Sequence, residues 1–425
     1  MGRGTGGPQW IDTDRDLDAI VDVLAGVPAY GFDTEFHRER SYYPHLALVQ
    51  LSWEQGVAVV DPLAVDLAPL RKVLEGKGLG VCHSAEQDLE VLQHACGAVP
   101  ARLFDTQIAA AFSGLGFASL AKLVAAIAGE RLPKGDRLTD WTRRPLDENQ
   151  IAYAASDVQF LLPIAAELRT RAEEAGTLAW IEEECERVRT RPIGPAEPET
   201  AWWRIKGSRS LRGASRGIAQ EVAAWRERSA AKRDLPPRFV LPDLALAAIV
   251  QRGPHNREEL ARVRGLDGRY LKGPLEREIL SAVARGRELP AESLHLPARG
   301  EAPLEEIGPT VALGLALVAQ VAEERGIEPS MLASRADVHA VSSGRTSGKL
   351  ASGWRDQLVG EKLRALLSGR SALTGDGRGG VRLIGCDADG SRPAAGVDGA
   401  EVARGAKSRA SVRAAARAAD AAEDA

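Results

Sequence analysis

The sequence predicts an α/β domain, a mixed sheet with helices on its faces, followed by all-α helical bundles. Three observations predict it. Over the first 190 residues, short β-prone apolar runs alternate with helical patterns. Two early runs are joined by a short turn at Gly56, so a hairpin interrupts the alternation and makes the sheet mixed. Past 191-RPIGPAEPE-199, with its three prolines, the apolar spacing is helical.

The elements follow in order. The β-prone run 30-YGFDTEF-36 leads to LALVQLS and VAVVD, which flank the Gly56 turn. Then come DLAPLRKVLEG, the short strand LGVCH, the helix AEQDLEVLQHAC, LFDTQIAAAF, LAKLVAAIAG and one long helix from Asp147 to Ala172. Ser84 and Gln87 have the spacing of a capping box and are expected to start the helix after LGVCH. In the next region a helix over 218–234 is followed by LALAAIV behind Asp243, and by a short helix capped by Asn256 and Glu259. A third region has three helices, near 309–325, 329–339 and 353–367. The expected boundaries are a flexible N-terminus over 1–8, the α/β domain over 9–190, a linker over 191–200, a helical domain over 201–290, a linker over 291–303, a further helical domain over 304–369 and a largely disordered tail over 370–425.

Composition narrows the class. An apolar content of 44% can supply real cores, and 425 residues are too many for one compact domain. The four cysteines, Cys82, Cys96, Cys185 and Cys386, have no C-x-x-C or metal-site spacing, which suits a reducing compartment. The N-terminus has no apolar core, and the longest apolar stretch, over 310–322, is too short to span a bilayer. A cytoplasmic protein with no membrane partner, acting as a monomer, is expected. The net charge is −4 overall, yet residues 202–290 hold 19 Lys and Arg against 10 Asp and Glu, a net of +9 that leaves −13 elsewhere. Within it Arg204, Lys206, Arg209, Arg212 and Arg216 fall in an acid-free stretch beside Trp202 and Trp203, the footprint of a polyanion-binding module.

The chemistry rests on four acids and a tyrosine. On a strand the period of two puts Asp33 and Glu35 on one face. On a helix the i, i+4 spacing stacks Tyr153 above Asp157. Asp88 projects from the first turn of the helix after LGVCH. Carboxylates without His or Cys make a hard oxygen site suited to Mg²⁺ or Mn²⁺, and they repel one another until cations neutralise them. Two such ions clamp the attacking and leaving oxygens of a phosphodiester, and a phenol can orient the attacking water.

These segments resemble the three exonuclease motifs of the DEDD superfamily. Tyr153 four residues before Asp157, with Ala152 where the sister branch carries His, matches the tyrosine branch. The wording DTEFHRERSYYPHLALVQLS, HSAEQDLEVL, FDTQIAAAF and LTDWTRRPLDENQIAYAASDVQFLLPI is similar to the ribonuclease D family over residues 10–190. The resemblance implies a ribonuclease-H-like fold and a 3′→5′ exoribonuclease acting on single-stranded RNA 3′ ends, such as those of tRNA precursors, and releasing 5′-monophosphates. It implies Asp33, Glu35, Asp88 and Asp157 as ligands of two Mg²⁺ or Mn²⁺ ions, with Tyr153 and Glu35 positioning water. WWRIKGSRSL, AAWRERSAAKRDLPPRFVLPDLALAAIV and NREELARVRGL resemble an HRDC domain, which implies a nucleic-acid grip. Action on DNA through the same site, or a catalytically silent nucleic-acid-binding scaffold, are the alternatives.

Other signals carry less. Tyr42 and Tyr43 are expected to stack on bases, Arg143 and Arg144 to hold phosphate, and Asp105 to cap a helix. The stretch 344-GRTSGK-349 has three residues between its glycines and Leu350 after its lysine, so it is read as a loop and not a phosphate loop.

Overall fold

The computed structural model describes residues 7–133, 139–195, 197–296 and 308–386. Six strands form one mixed sheet: β1 (Gln9–Ile11), β2 (Ala29–His37), β3 (His45–Trp53), β4 (Gly56–Val60), β5 (Leu79–Cys82) and β6 (Leu103–Asp105). Their spatial order is β1-β4-β3-β2-β5-β6. The meander β2-β3-β4 is antiparallel, while β1, β5 and β6 each join parallel to a neighbour. β3 is buried from Leu46 to Trp53, as a strand covered on both faces must be.

The covering helices are α1 (Asp14–Leu24), α2 (Glu86–Cys96), α3 (Thr106–Ala111), α4 (Glu148–Gln159), α5 (Leu161–Ala175) and α6 (Leu178–Arg189). α4 opens on a complete capping box in which Asp147 and Gln150 satisfy each other's backbone N–H groups. The single helix expected from Asp147 to Ala172 is two, parted at Phe160. Pro163 explains the break: it has no N–H to give the Gln159 carbonyl, and its ring crowds that carbonyl. By length and composition Glu148–Ala175 could cross a membrane, but Ala154, Val158, Leu161, Ile164 and Leu168 are core residues. Gly31 lets α5 approach β2, since a Cβ there would collide with the Ser52 hydroxyl and press on Leu161.

The second unit contains α7 (Ala214–Arg233), α8 (Asp243–Arg252) and α9 (Pro274–Glu288), with a core of Trp202, Val222, Leu246, Ile249, Tyr270 and Ile279. α7 and α9 cross at Gly217 and Gly286, where a Cβ on either would run into the other's backbone. Trp202, grouped with the basic stretch in the sequence, is a core residue; both Trp202 and Trp203 donate their indole N–H to the His295 carbonyl.

The third unit contains α10 (Gly308–Arg325), α11 (Arg335–Ser342) and α12 (Glu361–Leu367). A separate short helix, Pro329–Leu332, precedes α11, and a π-helical turn, Asp356–Gly360, leads into α12. Its Val311, Leu317, Val321, Leu332 and Leu363 belong to the same contiguous core as the sheet. Trp354 is wedged between Trp180 of α6, stacked at 5.3 Å, and Phe112 after α3, edge-on at 5.3 Å. The region 370–425 was expected to be largely disordered, but β7 (Ser371–Gly375) and β8 (Val381–Gly385) form an antiparallel hairpin against α10 and α12. The Gly and Asp content taken for disorder is the turn itself, where Asp376 accepts the N–H groups of Arg378 and Gly380. The remainder of that expectation, over 387–425, lies outside the described residues.

Candidate active site

β2 carries Asp33 and Glu35, and a bulge between Glu35 and Phe36 shifts the register with β3 by one residue before pairing resumes at Phe36 and Leu46. Bulges re-aim side chains beside functional sites. α2 brings Asp88 from its first turn, and α4 brings Tyr153 and Asp157. The acids reach one another electrostatically. Asp33 is held well above the usual carboxylate range by burial first, then by Asp88, Asp157 and Glu35. Glu35 is pushed up to about 7 by burial, then by Asp157 and Asp88. Burial lifts Asp157 to about 7 as well. Burial also lifts Asp88 to about 7 against the opposing hydrogen bond from Thr34, whose hydroxyl donates to Asp88 Oδ1 at 2.5 Å.

Four mutually repelling oxygen acids are a suitable donor set for hard divalent cations. Among the described residues no three His, Cys, Asp or Glu side chains stand in a finished metal cage. Tyr153 stacks on Trp141, with ring centroids 6.1 Å apart, which fixes the phenol beside Asp157 on α4.

Asp105 has a larger role than the helix cap the sequence suggested. It does cap α3, accepting from the Gln107 N–H at 2.8 Å. Its carboxylate also accepts the N–H groups of Ser84 and Ala85 at 3.0 and 2.9 Å. The expected Ser84–Gln87 capping box does not form: Ser84 lies in the left-handed region (φ 66°), and Asp105, twenty-one residues on, holds the turn that aims Asp88. Thr34 was missed because it faces away from Asp33 on the strand, and nothing local ties it to Asp88.

The aromatic and basic candidates fall elsewhere. Tyr42 packs against the second unit and its hydroxyl donates to Glu227 at 3.0 Å; Tyr43 stacks on His94 at 4.5 Å. Asp234, in the left-handed region at the end of α7, accepts the N–H groups of Tyr42 and Tyr43 at 3.0 Å each and pairs with His45 at 2.6 Å. The main chain of this segment and the Tyr42 side chain therefore serve the junction between the units, while the Tyr43 ring stacks within the α/β domain on His94. Arg144 is bound to Asp61 through two 2.6 Å contacts and to the Ala47 carbonyl, so it braces the sheet. Arg143 is exposed. Arg204, Lys206, Arg209 and Arg212 are exposed and Arg216 half-buried, and none of the five pairs with an acid among the described residues. Arg204 lies near enough to Tyr42 to oppose the upward pull of burial and Glu227 on its hydroxyl. The basic stretch thus starts beside the segment that leaves β2.

An open groove of about 590 Å³ adjoins Asp88, lined by Phe36, Arg38, Ser84, Gln87 and the acids Glu86 and Glu90.

The raised acids make a stability statement. Each binds its proton more tightly folded than unfolded, so the contribution is complete below about pH 4 and is lost as pH rises through about 7. Divalent cations need the ionised forms and reverse that loss. Saturating Mg²⁺ is expected to raise the melting temperature clearly at pH 8 and hardly at pH 5, as scanning calorimetry can check. An equal rise at both values would dissociate the cation from these acids.

Residues 8–173 match the family described as 3′-5′ exonuclease, and residues 215–283 match the HRDC domain. A ribonuclease D of Gluconacetobacter diazotrophicus is 37% identical over 375 residues, which cover 87% of this chain and 95% of that protein. The ribonuclease D of Escherichia coli is 34% identical, covering 84% of this chain and 98% of its own length. The crystal structure of Escherichia coli RNase D, described as an exoribonuclease involved in structured RNA processing, superposes with a TM-score of 0.76 at 33% identity. That alignment covers 85% of this chain and 99% of that one.

Proposed function

The chain belongs to the ribonuclease D family of 3′→5′ exoribonucleases, and from that premise we propose that it trims unpaired 3′ ends of structured RNA, tRNA precursors among them, to nucleoside 5′-monophosphates. The observation that carries the reading is the convergence of Asp33, Glu35, Asp88 and Asp157 from β2, α2 and α4, each acid lifted by burial or by its neighbours. The family uses divalent metal. Two Mg²⁺ or Mn²⁺ ions held by these four carboxylates would supply charge stabilisation to the attacking and leaving oxygens.

The chain's own residues do the rest. Tyr153 orients the attacking water by hydrogen bonding, together with Glu35. Asp105 and Thr34 fix Asp88 from two sides. The groove beside Asp88 is of a size that suits a terminal nucleotide. The free thiols Cys82, Cys96 and Cys185 are buried, which supports a reducing, cytoplasmic setting. Matched RNA and DNA oligonucleotides labelled at the 5′ end test the activity. With Mg²⁺ the RNA should shorten from its 3′ end in single-nucleotide steps. Equal or faster DNA digestion would remove the RNA assignment.

The HRDC unit supplies grip. Arg204, Lys206, Arg209, Arg212 and Arg216 have no acid partners among the described residues, which leaves them available to phosphates. Neutralised phosphates release counterions, and for a single strand log affinity falls with log salt by roughly 0.7 per contact. Changing all five to Gln is expected to flatten that slope by up to about 3.5 while leaving turnover on a short oligonucleotide unchanged. Binding titrations between low and moderate KCl read it directly. An unaltered slope would make the basic stretch a solvated face.

A further inference from the structure

We propose that Gln50 is a positioning residue of this site, its side-chain amide placed to orient the Asp33 carboxylate beneath α4 once divalent cations draw the acids together. Gln50 sits in the middle of β3 with 0% exposure, and neither Oε1 nor Nε2 has a hydrogen-bond partner among the described residues. A buried amide left in that state is costly, and native interiors keep few of them. An apolar side chain of similar size would serve a purely structural position better.

Its placement says what the amide is for. Gln50 stands directly opposite Asp33 in the β2–β3 pairing, so both side chains share one face of the sheet. On the other side it stands opposite Val59 of β4. Val59 and Leu48, the latter two residues along β3, pack with Ala154, Tyr153 and Trp141. Ser52, two residues the other way, donates its hydroxyl to the Val158 carbonyl of α4 at 2.8 Å. Contacts to α4 thus flank Gln50 on both sides, at the level where Asp157 lies between Ala154 and Val158. The amide is confined between Asp33 and the helix that carries Tyr153 and Asp157. It brings two N–H donors to a site dominated by acceptors. Carboxylates that hold metal are themselves held by such outer hydrogen bonds.

The inference rests on the reading of Asp33 as a metal-binding acid, so the experiment includes Asp33→Asn. Full-length Gln50→Met and Gln50→Leu are compared with the parent in three measurements. Calorimetric Mg²⁺ affinity of the metal-free protein is expected to weaken by roughly 10–100-fold. Turnover on a 5′-labelled RNA oligonucleotide is expected to fall by a similar factor in kcat, with KM unchanged. The melting temperature of the metal-free protein is expected to hold or rise, because no hydrogen bond is lost. Unchanged Mg²⁺ affinity and kcat would overturn the positioning role, and so would a lower melting temperature with both preserved, which marks a structural amide. The two readings separate cleanly. An inactive Asp33→Asn beside a fully active Gln50→Met overturns only the role of Gln50, whereas an active Asp33→Asn overturns the site and this inference with it.

Discussion

Asp33→Asn and Asp157→Asn are each expected to lower turnover on RNA by on the order of 10³–10⁴-fold while leaving the fold intact. Both substitutions keep side-chain shape and remove a charge-bearing oxygen from the convergent set. Asp33 is the more telling of the two. Burial and all three neighbouring acids hold its carboxyl well above the usual range, so in the metal-free protein its ionised form is the least welcome charge at the site. An asparagine there relieves that repulsion. The metal-free Asp33→Asn protein should therefore melt a few degrees higher than the parent at pH 8 and about the same at pH 4, where the parent acid is already protonated. Loss of activity with gain of stability is the signature of a functional acid. A variant that is inactive because it has unfolded would give the opposite melting shift, and near-normal hydrolysis by either variant would sink the site.

The acids could be read from the sequence because each pair is local. Asp33 with Glu35, and Tyr153 with Asp157, are joined by the period of one strand and one helix, and the flanking patterns fixed which element each occupied. What holds them is not local. Asp105 anchors the turn before Asp88 from the neighbouring strand, Thr34 reaches Asp88 from fifty-four residues away, and Gln50 meets Asp33 only through the β2–β3 register. No spacing rule connects such residues. The errors have the same origin. Ser84 and Gln87 satisfied a local capping rule, but a distant carboxylate took the N–H groups. Beyond these errors, the Tyr42–Tyr43 segment is tied to Asp234 and Glu227 of the HRDC unit, almost two hundred residues on, which no local pattern signals. The break at Phe160 was legible from Pro163 and was overlooked because the apolar period runs on through it.

Arg355→Met is expected to cost up to about 3–5 kcal/mol of stability, because it removes the buried partner of a buried charge. Arg355 Nη1 donates to Glu184 Oε1 at 2.6 Å, with the arginine 7% and the glutamate 1% exposed at their side chains. Arg355 Nε also donates to the Met331 carbonyl at 2.7 Å, and its guanidinium lies over Trp354 at 4.2 Å. Burial alone would push the Glu184 carboxyl up, but Arg355 and Arg187 together hold it below its ordinary value. That depression stabilises the fold above the unfolded value near pH 4.5 and is lost as pH falls through the folded one. Without Arg355 only the more exposed Arg187 remains. The difference between parent and variant should therefore be largest at neutral pH and shrink on acidification, as urea denaturation at pH 7 and pH 4 would measure. Adding Glu184→Leu to Arg355→Met should restore most of the loss, since the pair acts as a unit. The same contact decides how the chain can be divided. Trp354 covers Trp180 and Phe112, and the main-chain N–H of Glu328 bonds the Ala111 carbonyl, so residues 308–367 complete the core of the catalytic domain from a place in the sequence beyond the HRDC unit. Cutting the chain after residue 191 removes that cover along with the basic module, whereas the point variants separate support from grip. If Arg355→Met denatured at the same urea concentration as the parent, the third unit would be an appendage and the truncated nuclease should stand alone.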